Sequence, residues 1–334
     1  MCVWSAYSGK REAAPLLWES LNRIEGIWGG FYTGIVTATE SQLNWRKCAG
    51  HTGIWESKFS LTELPGTCGL IHSRTASGGD DRRAHPFVGA KGEVALVSQG
   101  SFGRFSREPF IAYGNRLLAN GIKCRSAAMD DSRCPVLDDG LKVCMSDVVV
   151  NAVESEYMKH HDPLAAMLSV CSELAEESAT IFLFRGHPEL IGFVNANQHL
   201  VCDFEEDEVF LSVSRIGLPG RGFEIPGNSA GFVTASGQLH RQNLGKLYSP
   251  IDTRIPEGAL NVFKNYLIQN PGVYLATICD KALATLFPKL HLEYRAAIAY
   301  NLLEILFYDG HIHFEAEVIP SNAALGKIFK IYWK

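Results

Sequence analysis

Apolar residues recur along this chain in short, changing periods, and the changes mark the elements. Residues 2–8, Cys-Val-Trp-Ser-Ala-Tyr-Ser, form an apolar, β-prone run, and Leu16, Leu17, Leu21 and Ile24 then fall at helical spacing. This predicts a strand followed by a helix, ended by Gly26, Gly29 and Gly30. Strand patterns follow at 31–38, 42–49, 67–74 and 93–98, the third running directly into the turn Ser77-Gly78-Gly79-Asp80. Pro109 suits a first helical turn, and Phe110, Leu117 and Leu118 supply one apolar face of a helix to about Asn120. Residues 127–140, with Asp130, Asp131, Pro135, Asp138 and Asp139, read as an exposed loop. Ser146 and Asp147 are expected to cap a helix through Val150 and Val153, and Asp162-Pro163 opens another through Met167, Val170 and Leu174.

From 180 to 233 the chain changes to short strands, at 180–184, 189–194, 199–204, 209–214 and 230–233, separated by turn residues. A mixed half followed by a hairpin-rich half suggests two antiparallel sheets packed together with helices outside. Pro250, Asp252, Pro256 and Gly258 mark a linker at 249–258, beyond which the pattern is mainly helical until β-prone runs at 311–319 and 326–333. The apolar run 296–308 is interrupted by Asn301 and Glu304 and falls short of the roughly 20 residues needed to span a bilayer, so it reads as a packed helix. Polar residues from Ser8 onward cut off any secretory signal.

Composition narrows the chemistry. With 31 basic and 36 acidic residues the formal charge is −5, which gives a polyanionic partner nothing to recognise. Lys327, Lys330 and Lys334 beside Phe329, Tyr332 and Trp333 read as a basic edge strand rather than a nucleic-acid face. Nine cysteines, an odd number without zinc-type spacing, point to a reduced, cytoplasmic setting. His311 and His313 can share a strand face but lack a third ligand, and no glycine-rich nucleotide loop occurs, so neither metal nor cofactor is expected.

One thiol stands apart. Removal of Met1 would leave Cys2 with a thiol and a free α-amine on the same residue. With intrinsic pKa values of about 8.5 and 7.7–8.0, the amine can take the thiol proton directly or through a water, so no separate histidine is needed. His72 and His85 are accordingly expected to be structural.

Cys2 does not stand alone. Gly69-Leu70-Ile71-His72-Ser73-Arg74-Thr75-Ala76-Ser77-Gly78-Gly79, then Ala84-His85-Pro86-Phe87, Val94-Ala95-Leu96-Val97-Ser98-Gln99-Gly100, Ser146-Asp147 and Pro188-Glu189-Leu190-Ile191-Gly192-Phe193 occur in order. Together with Cys2 they resemble the class II glutamine amidotransferases, which are N-terminal nucleophile hydrolases. The similarity is greatest to the glutaminase half of glucosamine-6-phosphate synthase. The resemblance implies an α+β fold, a four-layer α/β/β/α sandwich of two antiparallel sheets, over residues 2–245. Residues 246–334 are then a linker and a small, mostly helical extension, too short for the synthase's two sugar isomerase domains.

Position by position, the resemblance implies that Cys2 attacks the carboxamide of glutamine, Arg74 holds the substrate α-carboxylate, Asp147 holds its α-ammonium and Gly100 offers its N–H to the oxyanion. Taken alone, Arg74 fits a structural ion pair as well, and Asp147 fits the helix dipole. Three departures qualify the match. Gln99 stands where the family has asparagine, one methylene longer, so its amide can overshoot the oxyanion. Thr75 and Ser77 replace bulkier residues of the substrate-covering loop, and Trp28-Gly29 replaces an early Arg-Gly. Glutaminase action with an unidentified acceptor is the leading reading, with a synthase partner subunit or a homodimer through an open sheet edge as expected assemblies. A catalytically weakened binding protein and an amidase for another small amide stay open.

Overall fold

A computed structural model describes residues 2–56, 63–102, 106–127, 134–174, 177–244, 255, 257–286, 288, 292–321 and 325–334. Among these, seven strands make a first sheet in the order β11 (Phe223–Glu224), β9 (Val201–Glu205), β10 (Glu208–Ser212), β1 (Val3–Ser8), β4 (Cys68–Arg74), β2 (Tyr32–Ala38) and β3 (Leu43–Ala49). Six make a second, in the order β13 (Leu239–Asn243), β12 (Ser229–Thr234), β8 (His187–Asn195), β7 (Glu177–Phe184), β6 (Val94–Ser101) and β5 (Phe87–Val88). Every pairing in both is antiparallel. Helix α1 (Ala13–Ile24) covers the first sheet through β1 and β4, and the short α2 (Thr52–Glu56) follows β3. On the second sheet, α4 (Met145–His160) packs on β6 and α5 (Pro163–Cys171) on β8 and β12, while α3 (Glu108–Ala119) packs on α4. The two sheets meet through β1 and β4 against β6 and β8, completing the four layers.

The central strands β6, β7 and β8 of the second sheet are buried on both faces over most of their length, which is why they read as nearly continuous apolar runs. Alternate residues serve different cores. Ala95, Val97, Ile181, Leu183, Ile191 and Phe193 pack between the sheets, whereas Val94, Leu96, Phe182, Phe184, Leu190 and Val194 pack under α4 and α5. Each fully buried side chain of this size contributes roughly 1.5–3 kcal/mol, so register is held on both faces at once.

The chain after 255 contains α6 (Ala259–Gln269), α7 (Leu275–Ile278), a π-helical turn at Cys279–Leu283, α8 (Ala284–Leu286), α9 (Leu292–Tyr308) and a hairpin of β14 (Ile312–Pro320) with β15 (Leu325–Trp333). Its helices are as expected, and so are its two final strands. Its buried residues, among them Phe263, Tyr300 and Phe329, belong to the same core as the first sheet. The hairpin also bonds that sheet's flank directly, Lys327 N–H to Gly30 O at 2.9 Å and Phe329 N–H to Gly26 O at 2.8 Å. The expected boundary at 245/246, most of the expected linker and the middle of the 127–140 loop lie outside the described residues.

One local expectation is corrected. Helix α4 begins at Met145 with Cys144 as its N-cap, and no side chain caps it. Ser146 and Asp147 already lie inside the first turn, where Asp147 turns away from its own helix end to accept from Ser126 N–H at 2.6 Å. The apolar periodicity alone did not resolve that start; the strands β5 and β11 and helix α2 were too short to register as periodic segments, and β13, Leu-His-Arg-Gln-Asn, is exposed throughout and carries no apolar alternation.

Candidate active site

Strand pairing brings Cys2 and Arg74 to one end of the sandwich. In the β1–β4 ladder Val3 faces Ser73, so the next residues outward are Cys2 on one strand and Arg74 on the other. Cys2 is partly buried. On its other flank Ser5 pairs with Ser212 and Val213 N–H donates to Trp4 O at 3.3 Å, which brings Ser214 and Arg215 to the same end.

The second sheet contributes Gln99 and Gly100. His72 Nε2 bonds Ser98 O at 3.0 Å, tying the strand that ends in Arg74 to the strand that carries Gln99. Gly100 has φ +106°, and a Cβ there would lie 2.0 Å from the Glu177 carbonyl oxygen, so no other residue fits this turn of the backbone. Gly29, at φ +75°, likewise lets the backbone close over Ser73, a Cβ there lying 2.3 Å from its carbonyl oxygen. Trp28-Gly29, which replaces the family's Arg-Gly, therefore packs against the residue before Arg74.

Arg74 lies over the ring of Tyr32, 4.3 Å from its centroid, and donates through Nη2 to Gly78 O, while its buried Nε has no partner. The loop beyond it makes a tight turn, Ser77 N–H to Thr75 O at 2.7 Å, and Thr75 and Ser77 stay partly exposed. Gln99 is 1% exposed; its Nε2 donates to Gln198 Oε1 at 3.4 Å, leaving Gln99 Oε1 and Gln198 Nε2 unpartnered. The Gln99 amide therefore faces a neighbouring side chain. Asn197, whose Nδ2 is also unpartnered, adds a third open group.

Asp147 is fully buried and held by Ser126 N–H and by Asn151 Nδ2 at 2.9 Å; burial pushes its carboxyl above the usual carboxylate range, against the pull of Ser126 N–H. It lines a cavity of about 110 Å³ with Lys47, Arg125, Phe87 and Trp45. Lys47 Nζ gives its protons to the carbonyls of Arg82, Ala84 and Pro86, and burial lowers its pKa to about 8. The charges of Arg74 and Asp147 both reach Lys47 and Cys144. No bond joins Asp147 to Cys2, Gln99 or Arg74 among the described residues.

His72 and His85, expected to be structural, are both buried. Their rings sit 4.2 Å apart, burial pushes His72 down to about 3 and His85 well below its usual range, and His85 Nε2 lies 3.1 Å from Ser98 Oγ. His311 and His313 stack on Trp333 and Tyr332.

Sequence reasoning missed the groups that α9 delivers to this end. Glu304, 3% exposed, accepts from Ser214 Oγ at 2.7 Å, Arg215 N–H at 2.9 Å and Arg215 Nη1 at 2.6 Å, and lies 3.2 Å from His199 Nε2. Burial alone would lower His199, but Glu304, with Glu224 3.7 Å from Nδ1, raises it to about 9. The same contacts overcome the burial of Glu304 and hold it at about 2. The available signal was Glu304 itself, a carboxylate inside an apolar helix. Glu25 was missed as well: it is fully buried after α1 and accepts from Thr33, Ser73 and Thr52.

No protein-family model matches the chain. Curated relatives named glutamine–fructose-6-phosphate aminotransferase (isomerizing) do: that of Clostridium tetani is 28% identical over 218 residues, 64% of this chain and 31% of its own length. That of Bacteroides thetaiotaomicron is 28% identical over 64% of this chain and 32% of its own, and that of Pyrococcus horikoshii 30% identical over 43% and 23%. The chain therefore spans about a third of the length of the curated relatives it matches. Among solved structures, the glutamine phosphoribosylpyrophosphate amidotransferase of B. subtilis superposes with a TM-score of 0.58 at 12% identity, covering 94% of this chain and 66% of that one. A structure titled as the allosteric regulatory enzyme of purine biosynthesis superposes with a TM-score of 0.57 at 14% identity, over 90% and 63%. Sequence and sandwich together make this chain a homologue of the glutamine amidotransferases, with the N-terminal nucleophile hydrolase fold.

Proposed function

We propose that the protein hydrolyses glutamine to glutamate and ammonia through Cys2, the ammonia passing to an acceptor on a partner subunit or to a free acceptor. The observation that carries this reading is the placing of Cys2 beside Arg74 at the end of the β1–β4 ladder, with His72 tying that strand to the one that carries Gln99 and Gly100, in a chain similar to the glutamine–fructose-6-phosphate aminotransferases. With Met1 removed, the α-amine takes the thiol proton, and Sγ attacks the carboxamide carbon. The oxyanion is stabilised by Gly100 N–H, the carbon–nitrogen bond breaks as ammonia leaves with a proton, and water hydrolyses the thioester to glutamate. Arg74, already pre-aligned on Tyr32, presents a planar cation with an open Nε to the α-carboxylate. Asp147 binds the α-ammonium, Thr75 and Ser77 cover the substrate, and no metal or cofactor takes part. Nine free thiols accord with a cytoplasmic setting, and no described helix is long and apolar enough to cross a membrane. Residues 2–245 form the glutaminase unit in this reading and 246–334 its extension.

Incubating the mature protein with glutamine and measuring glutamate and ammonia tests it; no turnover, alone or with candidate acceptors, overturns it. Arg74→Ala is expected to raise KM for glutamine about tenfold or more, a loss of ~1.4 kcal/mol or more of charge-assisted bonding, with a smaller effect on kcat. Saturation kinetics check this, and an unchanged KM removes Arg74 from the substrate site. The capture of the Gln99 amide by Gln198 favours a second reading, a glutamine-binding protein with weakened hydrolysis. Calorimetric binding of glutamine without glutamate release would select it.

A further inference from the structure

We propose that Tyr300, carried by α9, completes the Cys2 centre by donating its hydroxyl to the negative charge that forms there, first on sulfur and then on the acyl oxygen. This rests on the reading of Cys2 as the nucleophile.

The placement follows from how α9 is fastened. Glu304 is bonded to Ser214 and Arg215, the second and third residues beyond β10, beside the start of β1. Tyr300 lies four residues earlier on the same helix face, one turn away. Its ring stacks on His199 at 5.7 Å and 11°, and His199 is in turn paired with Glu304, so the surface the ring rests on is itself fixed. The side chain is fully buried, yet its hydroxyl has no hydrogen-bond partner. A buried, unbonded hydroxyl costs roughly 1–3 kcal/mol, which a ligand at this position recovers. Burial first, and the nearby charge of Cys2 second, keep the phenol well above its usual range, so it stays a donor at neutral pH. The π-helical turn at Cys279–Leu283 packs on α9 and encloses Cys279, whose thiol burial pushes up to about 12.

The test compares mature wild type with Tyr300→Phe, which keeps the stacked ring. Alkylation of Cys2 by iodoacetamide is followed against pH by mass spectrometry of the N-terminal peptide, and glutamine turnover is measured in parallel. The expected result is an apparent Cys2 pKa about one unit higher in the variant, with kcat lower by roughly 10²-fold and KM within about twofold. Superimposable alkylation curves overturn the proposal whatever the turnover. A wild-type protein that releases no glutamate overturns the glutaminase reading, and the alkylation curves still decide the role of Tyr300.

Discussion

Cys2→Ala is expected to lower glutamate release by roughly 10⁴-fold or more, to the uncatalysed background, because removal of the nucleophile leaves only binding and oxyanion contacts. The fold should be unaffected, since Cys2 is only partly buried and precedes the first strand pair. A second variant separates thiol from amine: retaining a residue ahead of Cys2 leaves the thiol in place but converts its α-amine into an amide, which cannot accept a proton. Turnover of that form should fall nearly as far. Mass measurement of the N-terminus defines each form, and more than a tenth of wild-type activity in either would remove the single-residue mechanism.

Glu304→Ala is expected to destabilise the protein by about 3–5 kcal/mol, the usual cost of leaving one member of a buried ion pair uncompensated. His199 would remain buried with only Glu224, 3.7 Å away, to balance it, while Ser214 Oγ and Arg215 N–H would lose their acceptor. Urea denaturation of the two proteins measures the difference, and a loss below about 1 kcal/mol contradicts the assignment. The pair also sets a pH window. His199 is raised from 6.5 to about 9 in the folded state, so its contribution is complete below 6.5 and is lost as pH rises toward 9. Glu304 is lowered from 4.5 to about 2, so its contribution is complete above 4.5 and is lost as pH falls toward 2. The stabilisation therefore has its plateau between about 4.5 and 6.5, and Glu304→Ala should flatten the decline above 6.5.

The antiparallel sandwich was legible because strands buried on both faces write near-continuous apolar runs, and the resemblance named the layers those runs assemble into. Arg74 was legible for a related reason: a strand end followed by a small-residue turn keeps its meaning in one dimension. The amide of Gln99 was not, since whether one extra methylene reaches an oxyanion or a neighbour depends on Gln198, 99 residues away in the chain. Asp147 shows the same limit. Its place near a helix start could be read, but its bond to Ser126 could not, because the intervening loop decides it.

By itself, then, the sequence determined the identity of the thiol that can carry its own base, the order of the motifs around it, the two-sheet architecture and the presence of a carboxylate, Glu304, in an otherwise apolar helix. Only the tertiary structure decided what that carboxylate is for. Helical spacing gives Glu304 and Tyr300 one face but not the surface that face meets, and the partners of Glu304, Ser214 and His199, lie 90 and 105 residues away in the chain. Burial supplies the remaining reason: once α9 docks against the β1 end, an unpaired charge there is costly, so Glu304 is held by partners drawn from across the fold.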